Sequence, residues 1–128
     1  MTDMQIQMLP YDLSVCRSAP GSRLPDLTGF FTLSVTDEEV SLVCETASVP
    51  AVMRDREDGW KAFRVTGVLD FSLIGILAGI TAVLAEARVG VFVISTYNTD
   101  YILVKQNNFS AAAEVLSAAG YTLLPPEQ

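Results

Sequence analysis

Between Phe71 and Ala85 the chain runs fifteen residues without a charged side chain, and the fate of that stretch constrains everything around it. As an α-helix it would reach only about 22 Å, short of the roughly 30 Å of hydrocarbon in a bilayer, and Glu86 and Arg88 close it off. It reads instead as a buried amphipathic helix. Leu73, Ile76, Leu77, Ile80, Val83, Leu84 and Ala87 follow the i, i+3, i+4, i+7 spacing of one broad apolar face. Beside that face Gly75, Gly79 and Ala82 make a smooth strip that another backbone can approach. Glycine costs about 1 kcal/mol relative to alanine inside a helix, so close packing or a ligand near the helix start must offset it. Asp70 or Ser72 is placed to cap the start, and Gly90 to stop the helix.

Strands flank this helix. Trp60 to Val65 alternates imperfectly with a period of two. Val91 to Thr96 is apolar on both faces, which predicts a central strand. Tyr97-Asn98-Thr99 is a turn, and Asp100 to Lys105 returns as the next strand. Asn107 or Asn108 caps a second helix with Phe109, Ala112, Ala113 and Leu116 facing inward, ended by Gly120. Tyr121 to Leu124 is a short last strand. The order is βαββαβ, the split β-α-β arrangement of an α+β, ferredoxin-like domain, with both helices on one face of an antiparallel sheet.

The N-terminal half is poorer in helix. Asp12 to Ala19 reads as a strand, and Pro20 to Gly29, with two prolines and two glycines, as a loop. Phe31, Leu33 and Val35 alternate with Thr32, Ser34 and Thr36; after the turn Asp37-Glu38, Val40, Leu42 and Cys44 alternate on the return. Residues 48–59 read as a turn or one helical turn followed by an exposed charged linker. The two hairpins suggest an internal repeat, with Glu39 to Val43 laid over Asp100 to Val104 at an offset of 61 and one residue of slack before it. Residues 1–59 and 60–128 are the expected subdomains. The methionine spacing at Met1, Met4 and Met8 carries no reading.

Composition excludes several functions. There is no histidine, which removes Ser-His-Asp and Cys-His nucleophiles in their usual forms and every His-containing zinc site. Cys16 and Cys44 form no C-x-x-C and read as small buried hydrophobes. Eight basic residues against fifteen acidic give a net charge of −7, the wrong sign for tracking nucleic-acid phosphates or anionic membrane surfaces. Met1 to Pro10 lacks a basic start and a long apolar run, so a signal peptide is not expected and a reducing cytoplasm is. No cofactor or metal is expected.

Two segments carry a resemblance. Phe71-Ser72-Leu73-Ile74-Gly75-Ile76-Leu77-Ala78 followed by Gly90-Val91-Phe92-Val93-Ile94 resembles an ACT domain, in which a strand, a loop, a Gly-Ile/Leu-Leu-Ala helix start and a glycine-led strand follow one another. Leu69 to Leu73 and the run Ile94-Ser95-Thr96-Tyr97-Asn98-Thr99-Asp100-Tyr101-Ile102-Leu103-Val104-Lys105 resemble small bacterial ACT-containing proteins and, more distantly, the CASTOR-type arginine sensors. The likeness runs from about Trp60 to Leu124, and the hairpin from Phe30 to Cys44 resembles an abbreviated, helix-poor first ACT-like subdomain.

The resemblance implies a regulatory module that binds an amino-acid-like ligand at a subdomain or subunit interface, against the first strand-to-helix loop, here Val68 to Gly75. It implies Asp100 as a ligand contact, with Thr96 and Tyr97 lining the same crevice. Leu69-Asp70-Phe71-Ser72-Leu73 departs from the residues those sensors carry, so arginine in particular is not implied. The residues suit such a ligand: free N–H groups at the helix start favour an α-carboxylate, Gly75 leaves the approach open, and Asp100 is an acceptor for an ammonium. Asp70 either contacts that ammonium or caps the helix. The candidate ligand-binding set is therefore Asp70, Phe71, Ser72, Leu73, Gly75, Thr96, Tyr97 and Asp100. The module is expected to be non-catalytic and homodimeric, and to signal to a separate protein partner. The alternative is a structural or protein-interaction domain that has no small-molecule ligand.

Overall fold

Met4, Ile6 and Met8 alternate with Gln5 and Gln7, and in the computed structural model this period of two becomes the strand β1 (Gln5–Met8). The structure describes residues 4–66 and 75–127. Ile6 is fully buried, and Met4 and Met8 pack on the same core, so these two methionines have a structural place; Met1 lies outside the described residues. β1 belongs to a unit made of Met1–Pro10 and Lys61–Gln128; Tyr11–Trp60 forms a second unit. The reason is pairing. β1 runs antiparallel to the second half of β5 (Asp55–Thr66), with Ile6 opposite Val65, and parallel to β8 (Thr122–Leu124).

In this C-terminal unit β5 is followed by α1 (Ile76–Glu86), β6 (Phe92–Ser95), β7 (Asp100–Lys105), α2 (Phe109–Ala118) and β8. The βαββαβ order is present, and the sheet runs β6-β7-β5-β1-β8. Because β1 enters between β5 and β8, the sheet is mixed rather than antiparallel. Val91 to Thr96, predicted as a central strand, supplies β6, which among the described residues pairs only with β7 and forms an edge; β7, whose Ile102, Leu103 and Val104 are all buried, lies inside it. Ile80 and Leu84 of α1 and Ala112 and Leu116 of α2 close over Ile6, Phe63, Val65, Ile102 and Val104. Phe63 stacks on Phe109 with ring centroids 4.6 Å apart. Burying each large side chain contributes about 1.5–3 kcal/mol.

Both helices end in the same device. At α2, Tyr121 N–H donates to Leu116 O and Gly120 N–H to Ser117 O, with Gly120 at φ 104°, as its sequence position predicts. At α1, Val89 N–H donates to Leu84 O and Arg88 N–H to Ala85 O, and the left-handed residue is Arg88 at φ 63°. Gly90 therefore does not stop α1; Arg88 does, and Val89 drops into the core behind it. The N-cap of α1 is Gly75 in a left-handed conformation with no side-chain cap, so neither Asp70 nor Ser72 fills that position. Gly79 is explained by packing. A β-carbon there would sit 3.1 Å from the Tyr121 hydroxyl.

The N-terminal unit holds β2 (Leu13–Ser18), β3 (Phe31–Val35), β4 (Val40–Glu45) and the first half of β5, in the order β3-β4-β2-β5. That is the strand order of a ferredoxin-like half, with no α-helix among its described residues. Leu24 and Leu27, from the proline- and glycine-rich loop, pack with Val49 and Met53 over Cys16, Val40, Leu42 and Cys44. Residues 55–59, predicted as a charged linker, are strand: Arg56 lies opposite Cys16 and Asp55 opposite Arg17. Their charges suit an outer strand, where side chains meet solvent. Ser14, fully buried, donates to Asp58 Oδ1 at 2.5 Å and shares a 2.9 Å bond with Thr46 Oγ1.

The internal repeat is real, and its offset is 60. β4 and its following 3₁₀ turn (Thr46–Ser48) correspond residue for residue to β7 and its 3₁₀ turn (Gln106–Asn108). Val35 pairs with Val40 as Ser95 pairs with Asp100, so the counterpart of Asp100 is Val40, not Glu39. The slack vanishes because both turns have the same length. Thr36 N–H donates to Glu39 O at 3.0 Å, and Thr96 N–H to Thr99 O at 2.8 Å. What separates the halves is the next residue pair. Val49 precedes Pro50, which disfavours the helical region and ends the turn, whereas Phe109-Ser110 continues into α2.

Candidate functional site

Of the candidate residues, Asp70, Phe71, Ser72 and Leu73 lie outside the described residues. Gly75, Thr96, Tyr97 and Asp100 are described. Gly75 is exposed at φ 85°, with open space where a β-carbon would stand. The other three cluster on the β6–β7 turn.

Its own side chains brace that turn. Thr96 Oγ1 donates to Thr99 O at 2.9 Å and accepts from Thr99 N–H at 3.3 Å. Thr99 Oγ1 donates to Val65 O at 2.6 Å, which ties the turn to the last residues of β5, beside the entrance to the crossover toward α1. Asp100 is half-buried, and its Oδ1 accepts from Ser95 Oγ, directly opposite, at 2.6 Å. Among the described residues no other bond to this carboxylate is formed, leaving Oδ2 as an acceptor. Tyr97 stands at the tip with 92% of its surface exposed and lines no wall of the turn. Thr96, its hydroxyl spent inside the turn, serves geometry.

The equivalent turn in the N-terminal unit isolates what is special here. Thr36 Oγ1 donates to Glu39 O at 3.3 Å and accepts from Glu38 and Glu39 N–H at 3.1 Å, much as Thr96 does. Where the C-terminal turn carries Ser95 and Asp100, this one carries Val35 and Val40. A valine pair therefore satisfies the hairpin, and the polar pair is not a requirement of the fold. Ser95 escaped the sequence reading; the Val35–Ser95 correspondence at offset 60 was the signal that could have found it.

Other chemistry is sparse. No group of three or more potential metal ligands exists among the described residues, and no described helix is long and apolar enough to cross a membrane. Cys16 and Cys44 are buried, free thiols. Burial, followed by the nearby Cys44 thiol, pushes Cys16 up to about 11, and burial raises Cys44. Neither is a thiolate near neutral pH.

Comparison with known proteins bears on the fold and the family. A crystal structure of an Agobacterium tumefaciens protein superposes with a TM-score of 0.90 at 28% identity, covering 100% of this chain and 97% of that one. Clostridium acetobutylicum aspartate kinase contains the same fold, with a TM-score of 0.68 at 13% identity over 91% of this chain and 34% of the kinase. The human cytosolic arginine sensor for mTORC1 subunit 1 is 29% identical over 119 residues, 87% of this chain and 36% of the sensor. The chain thus spans about a third of the length of that curated relative. The ACT domain model matches residues 55–118, half of the chain, from β5 through α2. With that match, the strand order and the paired helices in hand, the chain belongs to the ACT domain family.

Proposed function

We propose that this chain is a regulatory, non-catalytic module that binds a small amino-acid-like ligand beside the β6–β7 turn. The observation that carries the proposal is the Ser95–Asp100 pair. A half-buried carboxylate is retained where the sister hairpin does without one, and it keeps an oxygen for an ammonium group. Thr99 holds this turn against the end of β5, next to the crossover that contains Asp70, Phe71, Ser72 and Leu73, and Gly75 leaves the far end of that crossover open. In this reading Asp100 takes the ammonium, the crossover takes the carboxylate, and Thr96 holds the turn that presents Asp100. Two relatives support the class: one is named as an arginine sensor, the other as an allosteric enzyme. A cytosolic relative also supports the proposed cytoplasmic location.

The proposal includes a homodimer and a separate protein partner that reads the bound state. β3 supports the dimer. Phe31, Leu33 and Val35 are 38%, 44% and 67% exposed on an edge strand without charge, proline or bulge. Because Thr36 and Glu39 form the hydrogen-bonded pair that closes the turn, alternation turns the backbone groups of Thr32 and Ser34 toward β4 and those of Phe31, Leu33 and Val35 outward. An antiparallel second copy centred on Leu33 would use them all. The same edge favours the second reading, a protein-interaction domain without a small ligand. A thermal-shift panel of the twenty amino acids separates the two. A ligand at 100 times its Kd adds about 2.7 kcal/mol, roughly ten degrees for a chain of this size. A stabilising hit supports the ligand reading, and a flat panel on folded protein supports the other.

A further inference from the structure

The N-terminal unit, Tyr11–Trp60, carries sulfur on Cys16, Cys44 and Met53 and nowhere else. All three residues lie in one buried cluster, whose other buried members are Val40 and Leu42. Register brings the cysteines together. Cys16 stands opposite Leu42 and Ser14 opposite Cys44, so the two are diagonal neighbours on one face of the β2–β4 pair. Both are free, and their thiols hydrogen-bond to each other. Diagonal neighbours stand roughly 7–8 Å apart, beyond the roughly 4.4–6.8 Å between the α-carbons of most disulfides, so the spacing favours an ion between the sulfurs over a direct S–S bond. A cation stands beside them. Arg56 lies opposite Cys16 in the β2–β5 register and is held by Asp58 at 3.0 Å. Burial disfavours a thiolate at either cysteine; the Arg56 charge favours one at both, and Asp58 opposes it more weakly.

Cysteine, histidine and carboxylate ligands gather nowhere in threes among the described residues, but a soft ion also takes a thioether. We propose that Cys16, Cys44 and Met53 form an all-sulfur site for a soft monovalent cation of the Cu(I) type. On binding, each thiol S–H bond breaks and its proton passes to solvent. Each sulfur gives an electron pair to the ion, and no electron is transferred. Two thiolates and a monovalent cation leave one negative charge, and Arg56 supplies the positive one beside it. Met53 adds a neutral third donor on an unbranched side chain with three rotatable bonds, which adjusts to an ion held by the thiolates. Val40 and Leu42, with Leu24, Leu27 and Val49 packed on them, line the cluster with carbon and offer no harder ligand. The occupied site would tie β2, β4 and the residues before β5 together in the unit without an α-helix, so binding adds to its folding free energy. It shares no residue with the Ser95–Asp100 turn and is independent of that reading.

The test is an anaerobic titration of the Cu(I)–bicinchoninate complex with the full, reduced chain, read as loss of the complex's visible absorbance. The expected result is transfer of one ion per chain, with X-ray absorption at the copper edge that fits sulfur neighbours alone. Cys16→Ala and Cys44→Ala should each abolish the transfer. Met53→Leu, a swap that keeps the core volume, should weaken it severalfold and lower the sulfur neighbours from three to two. Absence of transfer to the native chain, nitrogen or oxygen neighbours at the copper, or transfer that survives either cysteine substitution would overturn the proposal. Equal transfer to Met53→Leu would remove the thioether and with it the three-sulfur site. The absorption spectrum is taken on the native chain, so it decides the assignment even where a cysteine variant does not fold.

Discussion

Arg88 is the one described non-glycine residue with a positive φ, and it stands where α2 uses Gly120. A left-handed L-residue costs about 1–2 kcal/mol, part of which glycine gives back through unfolded-state entropy. Arg88→Gly is thus expected to stabilise the chain by about 0.5–1 kcal/mol, read as a higher urea midpoint; a lower midpoint would mean that the Arg88 side chain holds the helix end. The opposite change applies at Gly29, where φ is 75° and a β-carbon would lie 2.6 Å from Glu45 Oε2, the acceptor of Phe30 N–H. Gly29→Ala combines backbone strain with a displaced carboxylate and should cost about 1–3 kcal/mol. An unchanged midpoint would contradict that contact.

Cys16 gives a pH dependence with a definite sign. Its folded pKa of about 11 lies above the ordinary value of 9.0. Stability from keeping this thiol neutral is full below pH 9 and is lost as pH rises toward about 11, because the unfolded chain ionises first. The loss is of order 2 kcal/mol. Unfolding midpoints between pH 8 and 10.5 should fall more steeply in the native chain than in Cys16→Ala; parallel curves would contradict the burial.

Among elements, the strongly periodic ones were legible. β7 occupies Asp100–Lys105, as its alternation and the preceding turn indicate, and α2 ends at the predicted Gly120. The elements that were not legible lacked a local signal of the kind sought. The first half of β5 is Asp-Arg-Glu-Asp-Gly, a charged run whose strand conformation comes from pairing with β2. β1 has a clear period of two over only five residues, and its partner β5 is more than fifty residues away in sequence. Edge and centre were exchanged for β6 because apolar residues on both faces are also what a half-covered edge strand shows. In the candidate site Asp100 was legible through its turn, but Ser95 was not, since a hydroxyl gains meaning only once register places it opposite a carboxylate.

For the whole molecule, the recurring theme is one ferredoxin-like pattern used twice, once with helices and once without. The loss of helices leaves loop residues to cover the N-terminal sheet and leaves Phe31, Leu33 and Val35 at its edge. Unprotected apolar edges pair with other strands. Leu33→Lys, which puts like charges together at the proposed dyad, should shift the sedimentation of the native chain from dimer to monomer while leaving its thermal midpoint within a few degrees at matched protein concentration. A dimer that persists would place the contact elsewhere.

In the proposed function the C-terminal turn carries a ligand contact that its sister turn lacks. The direct measurement is the amino-acid thermal-shift panel run side by side on the native chain and on the double variant Ser95→Val, Asp100→Val, which copies the Val35–Val40 pair. At least one amino acid should raise the midpoint of the native chain by several degrees. The variant should be folded with a similar starting midpoint and show no such shift. An equal shift in both proteins, or no shift in the native chain, would contradict it.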